Sequence, residues 1–171
     1  MARLFHFLVL FPLIAALFSC EKQKIILTDR TVIHQDQNDQ ELLRITNNAR
    51  DSLSEFFRHM LRPAKDERNF MVKYPLKTDA NSGFYMEHIW LCDIQYKNGV
   101  YYGTAANTPF YISSIKKGDV IPFSMEEISD WMYIKGEKIA GGYSIKYLLE
   151  QLADRSEEQQ HILEMFHDMP E

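Results

Sequence analysis

The chain is predicted to fold as α+β, with an antiparallel sheet of about five or six strands, one long N-terminal helix and one or two C-terminal helices. Three observations predict it. Apolar residues recur at three- and four-residue steps up to Pro63, β-rich runs punctuated by turn residues fill the middle of the chain, and two serine-led amphipathic segments close it.

The N-terminal helix rests on Leu42, Ile45, Ala49, Leu53, Phe56 and Met60, which share one helical face, with Asp39 as N-cap and Pro63 as stop. Phe70 to Tyr74 reads as a first strand. The runs Glu87 to Tyr96 and Val100 to Ala106 flank Asn98-Gly99, a pair that favours a two-residue type I′ turn. That turn sets Tyr96 opposite Tyr101, Ile94 opposite Gly103 and Cys92 opposite Ala105, with Ile94 packed over the glycine. Another strand, Asp119 to Phe123, follows the Lys117-Gly118 turn.

The next segment has two readings. Ser124 and Glu127 suit a helical capping box, whereas Ile128, Trp131, Tyr133 and Ile134, a Gly136 turn and a return through Ile139 suit a hairpin. A brief turn and then the hairpin is preferred, because Trp, Tyr and Ile are enriched in strands. Ser144 is expected to cap a helix carrying Ile145, Leu148, Leu149 and Leu152, and Ser156 with Gln159 to cap a last one carrying Ile162, Leu163 and Phe166.

Residues 1–19 have signal-peptide architecture: Arg3, an apolar run from Leu4 to Phe18 interrupted by His6 and Pro12, and small Ser19 before Cys20. The run is too short to span a bilayer and meets the charged Glu21-Lys22 at once. Leu17-Phe18-Ser19-Cys20 resembles the bacterial lipobox, which implies lipidation of Cys20 after cleavage. Several acyl chains, each buried methylene contributing about 0.8 kcal/mol, anchor a protein stably. The expected localisation is the cell envelope, lipid-anchored to a membrane and facing the periplasm or the exterior. Residues 20–38 then form the lipidated cysteine and a tether that adds at most an edge strand, and 39–171 form one α+β domain.

With Cys20 lipidated, Cys92 is left without an intramolecular partner and reads as a small buried hydrophobe. Stability is then expected from the core alone, for which 46% hydrophobic and 13% aromatic residues suffice. A net charge of −5 gives no basic stripe for nucleic acid.

The stretches NNARDSLSEFF, FMVKYPL, EHIWLCDIQYKNGVYYGTAANTP, KKGDVIPF and ISDWMYIKGEKIAGGYSIKYLL together resemble the YegJ-like bacterial domain, a family of unknown function. The resemblance implies a single compact α+β domain and supplies no catalytic residue. Its matched positions include Lys73, Glu87, His88, Trp90, Gly103, Asn107, Pro109, Gly118, Asp119, Asp130, Trp131, Gly141 and Gly142.

Among these, Glu87, His88 and Asp130 are the candidate acid/base groups and Lys73 the candidate charge stabiliser. Trp90, Asn107, Asp119 and Trp131 are the candidate ligand-binding residues, since sites gather at strand ends and turns. Each has a structural alternative: the tryptophans as core, His88 as a satisfied core histidine beside Trp90 and Cys92, the aspartates as turn caps. Neighbouring strand residues point to opposite faces, so Glu87 and His88 share a site only across a bulge. No P-loop, GxGxxG, HExxH or GxSxG motif occurs. No metal or cofactor is expected.

Three functions follow. The first is a non-enzymatic binding or interaction lipoprotein with a protein or small-molecule partner, for which Tyr96, Tyr101, Tyr102, Phe110 and Tyr111 would supply exposed aromatic surface. The second is a hydrolase-type enzyme using Glu87, His88 or Asp130 with Lys73. The third is a toxin-neutralising or structural envelope protein whose negative charge steers a basic partner.

Overall fold

The structure, a computed structural model, describes residues 40–166. Asp39, the tether and the lipidation candidate Cys20 lie outside the described residues. Helices α1 (Gln40–Asp51) and α2 (Leu53–Leu61) lead into strands β1 (Glu67–Lys77), β2 (Met86–Lys97), β3 (Val100–Ala105) and β4 (Val120–Phe123). A 3-10 turn at Met125–Glu127 precedes β5 (Asp130–Lys135), β6 (Lys138–Gly141), α3 (Tyr143–Gln151) and α4 (Glu157–Met165). The strands form one antiparallel sheet in the order β4-β3-β2-β1-β5-β6.

Alternation along the strands divides the core between the two faces. Val72, Tyr74, Ile89, Leu91, Trp131 and Tyr133 pack with Ala49, Phe56 and Phe57 of the N-terminal helices. Met71, Trp90, Cys92 and Met132 pack on the other side with Leu149, Ile162 and Phe166. At the margins, β4 carries Pro122, and beyond α4 Phe166 bridges to Ile139 of β6 in parallel.

The single N-terminal helix expected from the sequence is two helices, broken at Ser52. The Ser52 hydroxyl donates to the carbonyls of Asn48 at 2.8 Å and Ala49 at 3.2 Å, a back-bonding that bends helices. The indole N–H of Trp131 also donates to the Ala49 carbonyl, at 2.9 Å. Apolar spacing runs through the break undisturbed, so periodicity cannot reveal it.

The Asn98-Gly99 turn is present and Tyr96 faces Tyr101, but the register slips farther on. Between Cys92 and Gln95 the ladder shifts at a bulge where Asp93 takes φ 50°, leaving Cys92 opposite Thr104 and Leu91 opposite Ala105. Gly103 consequently makes room for Leu91, whose Cβ lies 2.8 Å from where a Cβ on Gly103 would stand, and not for Ile94. Cys92 is fully buried, as expected.

The turn-then-hairpin reading of 124–141 holds: the 3-10 turn leads into the β5–β6 hairpin, with Gly136 in its turn. Ser156 and Gln159 form the expected capping box. Ser144 does not cap α3. Its N-cap is Gly142, in the left-handed region at φ 68°, and Ser144 turns inward.

Candidate functional site

Two groups of side chains lie at the end of the sheet where β1 finishes and β2 and β5 begin. The first is interior. Asp130 starts β5, directly opposite Lys73 of β1, which is itself opposite Trp90 of β2. The Asp130 carboxylate is wholly buried and accepts the backbone N–H groups of Trp131 at 2.8 Å, Tyr143 at 3.2 Å and Ser144 at 2.8 Å. The Ser144 hydroxyl donates to it at 2.6 Å and accepts from the Lys73 ammonium at 3.0 Å. A buried carboxylate served by four donors keeps its place in a core that would otherwise exclude it.

Burial dominates the electrostatics of both charged groups. It pushes the Asp130 carboxyl up, against the pull of Lys73 and of its hydrogen-bond donors, and it pushes the Lys73 ammonium down, against the attraction of Asp130. The ammonium also lies 5.9 Å from the centre of the Trp90 ring, within cation–π range.

The glycines beside this group are required by close approach. A Cβ on Gly141 would stand 2.2 Å from the Trp131 carbonyl oxygen, and one on Gly142 2.8 Å from the Phe166 ring. Tyr143 carries the network outward: its hydroxyl meets Ser52 Oγ at 2.8 Å, and Ser52 lies 3.3 Å from the Trp131 indole nitrogen. One set of polar contacts therefore ties the α1–α2 break, the start of α3 and strands β1 and β5 together.

His88 extends the set to the surface. Its Nδ1 lies 2.8 Å from Ser129 Oγ, and that hydroxyl donates to the Lys73 carbonyl at 3.1 Å. Desolvation first, then the positive charges of Lys73 and Arg50, lower His88 to about 4. The residue as a whole is nonetheless exposed, which corrects the core-histidine alternative. Its open edge reaches water, so repulsion by the two cations is the sounder cause of its preference for the neutral form.

The second group is at the surface. Glu87 points away from His88, as alternation requires, and its carboxylate accepts the N–H groups of Phe110, at 2.8 and 3.1 Å, and Tyr111, at 2.8 Å. Asp79, in the β1–β2 loop, accepts the Ser113 N–H at 2.9 Å, while its own N–H donates to the Tyr111 carbonyl at 2.8 Å. Thr78 and Ser82 hydroxyls both donate to the Phe84 carbonyl. Two long connections, 78–85 and 106–119, are thereby joined along an open groove lined by Asp79, Asn81, Thr108, Phe110, Tyr111 and Lys116, among others. Phe84 stands against Tyr111 with ring centres 4.6 Å apart.

Lys73 and Asp130 thus meet, through a Ser144 the sequence reading had placed as a helix cap. Glu87 joins neither, and His88 reaches only the rim. Trp90 and Trp131 are core residues, 5% and 3% exposed. Asn107 Oδ1 accepts the Trp90 N–H at 3.4 Å, and Asp119 accepts the Lys116 N–H at 2.8 Å, closing its turn. Of the five aromatic residues expected to offer a surface, Tyr96 and Phe110 are exposed, whereas Tyr101 packs partly against the core. The sequence reading missed Asp79, Phe84 and Tyr85; the polar loop between the first two strands was the available signal.

Residues 39–165 match the family described as an uncharacterized protein conserved in bacteria, DUF2314. Over 85 residues, half of this chain and 53% of the relative, the sequence is 40% identical to the uncharacterized protein YegJ of Escherichia coli K12. Over 131 residues, 74% of this chain and 51% of the relative, it is 29% identical to a putative ankyrin repeat protein of Neisseria meningitidis serogroup B. The chain spans about half the length of these curated relatives. No solved structure matches it. The chain belongs to the DUF2314 family, as its YegJ-like motifs imply.

Proposed function

We propose that this DUF2314 protein is a cell-envelope lipoprotein whose folded domain is a non-enzymatic binding module. The observation that carries the binding reading is the aromatic end of the sheet. Phe84, Tyr85 and Phe110 are 43%, 67% and 55% exposed on connections held in place by Glu87 and Asp79. Large rings kept in water on an ordered backbone mark recognition surfaces.

The hydrolase alternative has less support. Glu87 is engaged by the 110–111 amides, and the serine that Lys73 and Asp130 serve is only 4% exposed. The toxin-neutralising alternative rests on net charge alone.

The anchor rests on Arg3, the apolar run and Leu17-Phe18-Ser19-Cys20. A lipid thioether uses the Cys20 sulfur, so the lipidated chain cannot also pair that sulfur with Cys92. Intact-mass measurement of the mature protein separates the two states. Acyl mass on Cys20, with release from the membrane by Cys20→Ser, supports the anchor, and a Cys20–Cys92 disulfide without acyl mass rejects it.

The binding reading is tested by placing a photo-crosslinking residue at Phe110 or Tyr85, with Glu137 at the far turn as control. A discrete adduct from the first two alone is expected. Equal labelling from all three, or none, overturns the reading.

A further inference from the structure

We infer that the groove between connections 78–85 and 106–119 is a site for a neutral oligosaccharide. The inference rests on the binding-module reading and names its ligand class. The groove has a volume of about 380 Å³, within the range of small-ligand sites, and it is largely open to solvent. An open trough of this kind suits a segment of a chain-like ligand better than an enclosed small molecule.

Its lining combines two chemistries. Phe110 and Tyr111 offer ring surface, with Phe84 beside Tyr111. Asn81 and Thr108 add an amide and a hydroxyl to the lining, and Asp79 and Lys116 contribute charges of opposite sign. A sugar ring presents a C–H face that packs on an aromatic ring and an edge of hydroxyls that need both donors and acceptors, and this lining supplies each. With one carboxylate and one ammonium it has no net attraction for an anionic ligand.

A bound peptide strand is disfavoured by the backbone. Extended peptides gain affinity from free main-chain donors and acceptors at a sheet edge. Here the N–H groups of Phe110, Tyr111, Ser113, Lys116 and Lys117 are already taken by Glu87, Asp79, Asp119 and Thr108. Recognition is left to side chains.

The test is an amide-shift titration of the purified full chain with cellotetraose, maltotetraose and chitotetraose, and separately with an aromatic-rich octapeptide. At least one tetrasaccharide is expected to give saturable shifts confined to residues 78–85 and 106–119. Phe110→Ala and Asn81→Ala are each expected to weaken it about fivefold or more, consistent with the loss of one stacking or hydrogen-bonding contact. Both positions are exposed, and an unchanged spectrum outside the loops checks that the fold persists. Absence of shifts with all three sugars, shifts elsewhere, or full affinity in both variants overturns the assignment. Binding of the peptide alone overturns it too, while a crosslink from Phe110 in that case leaves the binding-module reading standing.

Discussion

Ser144 Oγ lies 2.6 Å from Asp130 Oδ2, and the same hydroxyl oxygen receives the Lys73 ammonium at 3.0 Å. A neutral side chain therefore mediates between a buried carboxylate and a half-buried ammonium, and the pair depends on it. Ser144→Ala removes the acceptor of Lys73 and one donor to Asp130 together. We expect a loss of about 1–3 kcal/mol in urea unfolding, with Ser144→Thr recovering part of it.

Asp130→Asn is expected to cost more. The amide preserves shape but turns an N–H₂ toward the donors of Ser144 and leaves the Lys73 charge uncompensated. Breaking one partner of a buried pair typically costs about 3–5 kcal/mol. Lys73→Met is predicted to be milder, because Asp130 keeps its three backbone donors. A double-mutant cycle between the two positions should show coupling; strictly additive losses would refute the described network.

Gly141→Ala is predicted to prevent folding or to cost about 4 kcal/mol or more. The added carbon meets a backbone oxygen at 2.2 Å in a residue with φ 73°, and backbone cannot yield as a flexible side-chain tip can. Gly83→Ala, also at positive φ but facing open space, is the comparison: it should fold, with only the smaller cost of backbone strain.

Glu87→Ala is expected to act locally. Loss of the carboxylate frees the amides of Phe110 and Tyr111, so their hydrogen exchange should accelerate while exchange in β1 and β5 stays slow. Uniform acceleration across the sheet would show that Glu87 supports the whole fold instead.

His88 gives the pH dependence. Its folded value is lowered from 6.5 to about 4, so between those limits the unfolded chain binds the extra proton. Its contribution is complete above about 6.5 and is lost as pH falls toward 4. The unfolding midpoint of His88→Gln should therefore fall less steeply than that of the parent chain across this window.

The sheet, its central hairpin and the final capped helix were legible because their signals are local: Asn98-Gly99, alternation along the strands, and Ser156 with Gln159. What escaped the sequence depends on contacts between distant segments. The break at Ser52 is contacted by the indole N–H of Trp131, 79 residues on. The register slip follows from a bulge at Asp93, a residue with no turn-forming neighbour to announce it. Lys73 and Asp130 were legible as residue types, but Ser144 joins them only because Gly142 turns the chain so that the serine hydroxyl faces inward. Glu87 looked catalytic because a carboxylate beside a histidine is chemically suggestive; its partners, two backbone amides 23 and 24 residues away, have no side-chain signature.

Pro122 in β4 and the single bridge of Phe166 to Ile139 of β6 interrupt the described sheet at its two margins. A growing β-assembly needs a free row of donors and acceptors on which the next strand can template itself, and a proline or a bridging residue interrupts that row. Copies of this domain brought to high local concentration therefore find an interrupted template at either margin of the described sheet.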